Sequence, residues 1–145
     1  MKKVVDKTYA KSKDYKKTLE AIEKTDKCPF CKDNFKYHKK KILKKESKWF
    51  ITESSWPYKN SKFHFLIISK QHKEEFNNLK TSDFKAVSYL ANWAIKKYRI
   101  KGGALSLRFG DTKYTGASVY HLHFHFIVPK LDKSKKARAV NFPIG

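Results

Sequence analysis

His121-Leu122-His123-Phe124-His125-Phe126-Ile127-Val128 places three histidines at strict alternation, with only apolar residues between and after them. Successive side chains of a β-strand point to opposite faces, so the three imidazoles share one face and span roughly 13 Å at about 3.3 Å per residue. Histidine titrates nearest neutral pH and serves as nucleophile, acid, base or metal ligand. The plain structural alternative is a core strand with solvated imidazoles on its outer face. Three histidines in register, continued on the same face by Ile127, point instead to a grip on phosphate or metal.

Outward from this strand the chain resolves into a short list of elements. Phe63-His64-Phe65-Leu66-Ile67-Ile68 is a second buried strand, Trp49-Phe50-Ile51-Thr52 a third, and Ala104-Leu105-Ser106-Leu107-Arg108-Phe109 a fourth. Phe84, Val87, Leu90, Ala91, Ala94, Ile95 and Tyr98 recur at helical spacing, with Ser82 as expected N-cap and Gly102-Gly103 beyond the end. Asp6 through Thr25 contain no Gly or Pro and space Tyr9, Tyr15, Leu19 and Ile22 as one amphipathic helix. Ser54 to Asn60 and Gly110 to Val119 are turn-rich loops. These elements predict an α+β domain with a mainly antiparallel sheet and one long packed helix. The expected organisation is an N-terminal helical extension (1–27), a catalytic domain (28–130) and a C-terminal tail (131–145).

Length and composition bound the remaining choices. A chain of 145 residues fits one domain with a sizeable core. No run of 18 or more apolar residues occurs, and Met1-Lys2-Lys3-Val4-Val5-Asp6 turns charged before a leader core forms, so a soluble, cytoplasmic protein without membrane association is expected. The formal charge of +21 suits a nucleic-acid partner. Against that, arginine occurs only at 99, 108 and 138, and the lysines are spread among Ile, Asn, Phe and Tyr, a mixture that codon bias alone produces. The lysine runs at 39–41 and 133–136 read as solvated surface, and His38 among them as a surface histidine.

The alternating block, preceded by Gly116-Ala117-Ser118-Val119-Tyr120, resembles the signature of the histidine-triad family of nucleotide hydrolases and transferases. Phe63 to His72 resembles that family's other strand, with Ser69 where proline is usual. The resemblance implies a nucleoside-monophosphoryl bond cleaved through a nucleotidylated His123, with His125 and His64 on the phosphate oxygens and Ser118 on the leaving atom. It implies a nucleotide substrate, with adenine or another purine expected, and a homodimer. Removal of adenylate from DNA ends, and a non-catalytic nucleotide-binding or nucleic-acid-binding module, are the alternatives.

Cys28-Pro29-Phe30-Cys31 has three readings: a zinc half-site, a redox pair, or two unrelated thiols. The charged stretch Glu23 to Lys27 before it is unlike the buried strand that a redox motif needs. In the family's branch with such a pair, two histidines complete a structural zinc site, and the matching positions here are His72 and His121. Where the family places its ribose-binding residue this chain has Ser54, next to Glu53. Arg108 either neutralises phosphate or pairs with Asp111. Trp56-Pro57-Tyr58 either stacks on a base or anchors its loop. The tail, with Val140, Phe142 and Ile144 alternating, either joins a dimer contact or folds back on its own subunit.

Overall fold

The computed structural model describes residues 3–145. Met1 and Lys2, on which the expected absence of a leader partly rests, lie outside them. Five strands form one antiparallel sheet: β1 (Ile42–Glu46), β2 (Trp49–Glu53), β3 (Ser61–Ser69), β4 (Ala104–Leu107) and β5 (His123–Pro129), in the spatial order β1-β2-β3-β5-β4. The α+β class and the antiparallel sheet are as the sequence implied. No helix among the described residues is long and apolar enough to cross a membrane.

The sheet has two chemically different faces because its central strands alternate. Trp49, Ile51, Phe65, Ile67, Phe124 and Phe126 point to one face and are covered by Ala86, Val87, Leu90 and Ala94 of α2 (Thr81–Tyr98). Burial of each large apolar side chain contributes about 1.5–3 kcal/mol, so this face carries most of the core. Phe50, Leu66 and Ile68 point the other way. His64, His123 and His125 share that second face through the β3–β5 register, in which His64 lies opposite Ile127, Leu66 opposite His125, and Ile68 opposite His123.

Several expected boundaries move, each for a local reason. The helix expected over Asp6 to Thr25 is broken into a 3-10 turn (Lys7–Tyr9) and α1 (Lys13–Glu23). The Asp6 carboxylate captures the Thr8 N–H, and the Ser12 hydroxyl captures the Tyr15 N–H, so each piece starts at its own cap. The long helix begins at Thr81 rather than after Ser82, because the Asp83 carboxylate accepts from the Lys80 N–H. It ends on Arg99, whose φ of 53° supplies the left-handed cap expected of the following glycines. β4 stops at Leu107, β5 starts at His123, and the loop between them holds a helical turn, α3 (Thr112–Thr115). β1 has no counterpart in the sequence expectation: as a lysine-rich edge strand it buries little and shows no clean alternation.

The N-terminal arm packs on the histidine face. Val5 makes a β-bridge to Val119, and Leu19 and Ile22 of α1 close over both valines. Phe142 of the tail lies on Tyr58 and His125, so the tail folds back onto its own chain.

One buried polar cluster ties α2 to the sheet. Asp83 accepts from Trp49 Nε1 at 2.8 Å and from Lys73 Nζ at 3.1 Å, as well as from the Lys80 N–H. Asp83→Ala leaves a buried indole N–H and a mostly buried ammonium without their acceptor, at a cost of about 3 kcal/mol. Urea unfolding is the measurement; a loss below about 1 kcal/mol would show that the cluster is not a stabilising tie.

Candidate active site

Backbone groups lock His64, His123 and His121 into definite tautomers, and His64 in turn fixes His125. The Tyr58 N–H donates to His64 Nδ1 at 3.0 Å, so His64 carries its proton on Nε2. That Nε2–H donates to His125 Nδ1 at 2.8 Å. His125 is therefore protonated on Nε2, a buried donor with no partner among the described residues. His64 and His125 meet because they are diagonal neighbours on one face of the β3–β5 pair. His123 runs the opposite way: its Nδ1–H donates to the His121 carbonyl at 2.7 Å, leaving the lone pair on Nε2. The His123 and His125 rings lie 4.9 Å apart, centroid to centroid. A lone pair and an unpartnered N–H thus stand side by side, which is the pairing needed to attack a phosphorus atom and to hold one of its oxygens.

Both ring nitrogens of His64 are engaged inside the protein. Of the two rings, His125 is thus the one that presents an N–H without a protein partner among the described residues.

His121 lies just before β5 and is set apart chemically. Its Nε2–H donates to the Ser69 carbonyl at 2.6 Å, so Nδ1 faces the two cysteines, 3.3 Å from Cys28 Sγ and 3.7 Å from Cys31 Sγ. His72 repeats the pattern: Nε2 donates to Glu74 Oε1 at 2.8 Å and Nδ1 lies 3.4 Å from Cys31 Sγ. All four donor atoms fall within 4.8 Å of one another. A tetrahedral zinc ion with sulfur and nitrogen ligands has edges of about 3.6 Å, so the spacing fits. The outer nitrogens of both imidazoles are held by acceptors, as ligand histidines require.

The second sheet face opens into a cavity lined by His64, His123, His125, Ser118, Ser54 and Arg108, with the arm and the aromatic loop as its other walls. Its free volume is about 90 Å³, below the roughly 300 Å³ of ordinary ligand pockets. Ser118 is paired with the Tyr15 hydroxyl. Ser54 lines the wall, and its hydroxyl accepts from the Trp56 N–H at 3.1 Å. Trp56 stacks on Tyr15 with the ring centroids 5.2 Å apart, and Lys39 Nζ lies 4.8 Å from the Trp56 centroid, so the Trp56 ring is engaged within the protein. Arg108 does not pair with Asp111, which instead caps α3. It donates to the Pro143 carbonyl at 2.8 Å and to the Tyr58 hydroxyl at 3.0 Å.

Two wall residues depart from expectation. His38 is not a solvated surface histidine: its Nε2 donates to Thr52 Oγ1 at 2.8 Å and its Nδ1 accepts from Ser55 Oγ at 3.2 Å, against the cavity. The lysines around it in sequence hide this, since only the pairing of Thr52 with the segment before β1 draws the ring inward. Lys11 also lines the cavity and was not among the expected site residues. Nothing in a lysine-rich helical stretch marks one lysine as different.

A family model described as scavenger mRNA decapping enzyme C-term binding matches residues 27–141. A solved structure described as a Hit-like protein is 27% identical, with 64% of this chain and 87% of that chain covered and a TM-score of 0.52. A HIT family hydrolase from Clostridium thermocellum is 24% identical, with 77% and 96% covered and a TM-score of 0.56. A histidine triad protein from Clostridium difficile is 20% identical, with 73% and 94% covered and a TM-score of 0.55. No curated protein matches the chain.

Burial moves the histidines well away from their ordinary range. His38 and His64 both fall to about 4, in each case chiefly because the charged ring would lose its hydration. In the unfolded chain both titrate near 6.5. As pH falls through that value the unfolded state binds protons that the fold refuses, so stability is full above about pH 7 and declines steadily toward pH 4. Urea midpoints measured across this window should fall, and His38→Gln should flatten part of the decline. A midpoint that stays constant from pH 7 to pH 5 contradicts the assignment of buried neutral rings.

Proposed function

Because the chain belongs to the histidine-triad family, we propose that it is a nucleotide hydrolase or nucleotidyltransferase acting through a His123-bound nucleoside monophosphate. The observation that supports this most directly is the His123–His125 pair, one nitrogen lone pair beside one unpartnered buried N–H in a single cavity wall.

In the proposed reaction the His123 Nε2 lone pair attacks the α-phosphorus. The bond from phosphorus to the leaving oxygen or nitrogen breaks, and its electron pair departs with the leaving atom, which accepts a hydrogen bond from the Ser118 hydroxyl and takes its proton from solvent. The His121 carbonyl, accepting from Nδ1–H, stabilises the positive charge that spreads over the modified ring. The His125 Nε2–H holds a phosphoryl oxygen. Water then attacks phosphorus and loses a proton to solvent, and the P–N bond breaks with its electrons restored to His123. Tyr15 keeps the Ser118 hydroxyl in place throughout. Splitting the displacement into two steps lowers each barrier.

We assign Cys28, Cys31, His72 and His121 to one zinc ion. With four protein ligands such an ion supplies a structural cross-link between the segment before β1 and the start of β5, leaving His123 and His125 to the substrate. His64 is assigned to orientation, and Arg108 and Ser54 to substrate contact.

Two experiments check these roles. Stopping the parent protein during turnover of a dinucleoside polyphosphate, a capped dinucleotide or an adenosine phosphoramidate should show a mass gain of one nucleoside monophosphate on the His123 peptide. His123→Ala should abolish that adduct and lower turnover by at least about 10³-fold. Binding of AMP with no turnover of any such substrate by the parent would replace the enzyme reading with a binding module. Elemental analysis should give about one zinc per chain, lost in His72→Ala and retained in His38→Ala; retention in both would remove His72 from the ligand set.

A further inference from the structure

The cavity carries more positive charge than one phosphate needs. Among the described residues no carboxylate lines it, while Lys11 stands in its wall from the N-terminal arm and Arg108 from the end of β4. Neither is in an ion pair among the described residues. Arg108 lies flat on the Phe142 ring, with its guanidinium carbon 4.1 Å from the centroid. Only two of its five N–H donors are used, and both go to uncharged acceptors, Pro143 O and Tyr58 Oη. Lys11 also borders the neighbouring groove that runs beside Tyr58 and Pro143.

Two cations held near each other without a counter-charge disfavour one another. Lys11 sits below the usual lysine range, first through burial and then through Arg108. Arg108 likewise depresses His64 after burial has done so. An anion beyond the one held by His125 relieves that repulsion. A substrate whose leaving group is a phosphate provides it, whereas an uncharged amine does not.

Resting on the catalytic reading above, we propose that Lys11 and Arg108 form a second phosphate subsite that selects substrates whose leaving group is itself a phosphate. The arm thereby contributes to specificity, outside the strands that carry the histidines. The chemistry recognised is a phosphoanhydride on the α-phosphate, present in free nucleotides and in adenylated 5′ ends of nucleic acid alike. A cation pair that grips a phosphate uses charge-assisted hydrogen bonds, the stronger class.

Calorimetric titration of the full chain with AMP and with α,β-methylene-ADP, which cannot be cleaved at the α–β bridge, tests the subsite. The parent should bind the analogue about tenfold more tightly than AMP. Lys11→Met keeps the aliphatic stem and should erase most of that preference while leaving AMP affinity within about twofold. Lys11→Arg should restore it. Equal affinity of the parent for the two ligands, or a Lys11→Met loss shared equally by both, overturns the proposal. Because nothing here depends on turnover, a chain that prefers the analogue yet cleaves no anhydride overturns the catalytic reading and leaves the subsite standing. Competition by diadenosine tetraphosphate and by a 5′-adenylated oligonucleotide identifies the source: the ligand that loses more affinity in Lys11→Met carries the phosphate that the pair recognises.

Discussion

The antiparallel register between β3 and β5 is the constraint on which the rest of the site depends. It sets His64 diagonal to His125 on the face away from α2, close enough for a direct imidazole–imidazole hydrogen bond. A slip of one residue would turn every histidine of β5 into the apolar core and bring the phenylalanines out. The register is held by the opposite face, where Phe65, Ile67, Phe124 and Phe126 are packed beneath α2. Hydrophobic burial on one side of the sheet thus fixes the chemistry on the other.

Protonation in this site is governed by geometry more than by pH. Each ring has one nitrogen tied to a group that acts only as donor or only as acceptor: the Tyr58 N–H for His64, the His121 carbonyl for His123, the Ser69 carbonyl for His121, the Glu74 carboxylate for His72. The remaining nitrogen then has no choice of role. One backbone N–H at Tyr58 propagates through two rings to decide that His125 offers a donor to the cavity. Burial keeps His64, His123 and His125 neutral at pH 7, so their assignments hold there.

The arm and the tail both pack against the histidine face. Val5 and Leu19 are buried as deeply as central sheet residues, and Tyr15 reaches both Ser118 and Trp56. Phe142 and Pro143 engage Arg108 from the other side. A site built this way encloses its contents in segments that lie at opposite ends of the chain, and small shifts of either segment change its volume.

Alternation alone determined that His123 and His125 share a face, opposite the phenylalanines between and after them, because strand periodicity is a property of the backbone; that His64 joins them is set by the β3–β5 register. The resemblance to the histidine-triad family implied Cys28, Cys31, His72 and His121 as one ligand set, and the four donor atoms do converge. What only the tertiary structure decided is which nitrogen each ring presents, and that His38 is half-buried and hydrogen-bonded, that Trp56 is already stacked, and that Lys11 alone of the arm's lysines borders the cavity. Those outcomes depend on single long-range contacts with groups such as Tyr58 N, Ser69 O, Thr52 Oγ1 and Pro143 O. Such contacts join residues far apart in the chain and leave no periodic trace in it, whereas the burial of a whole strand face does.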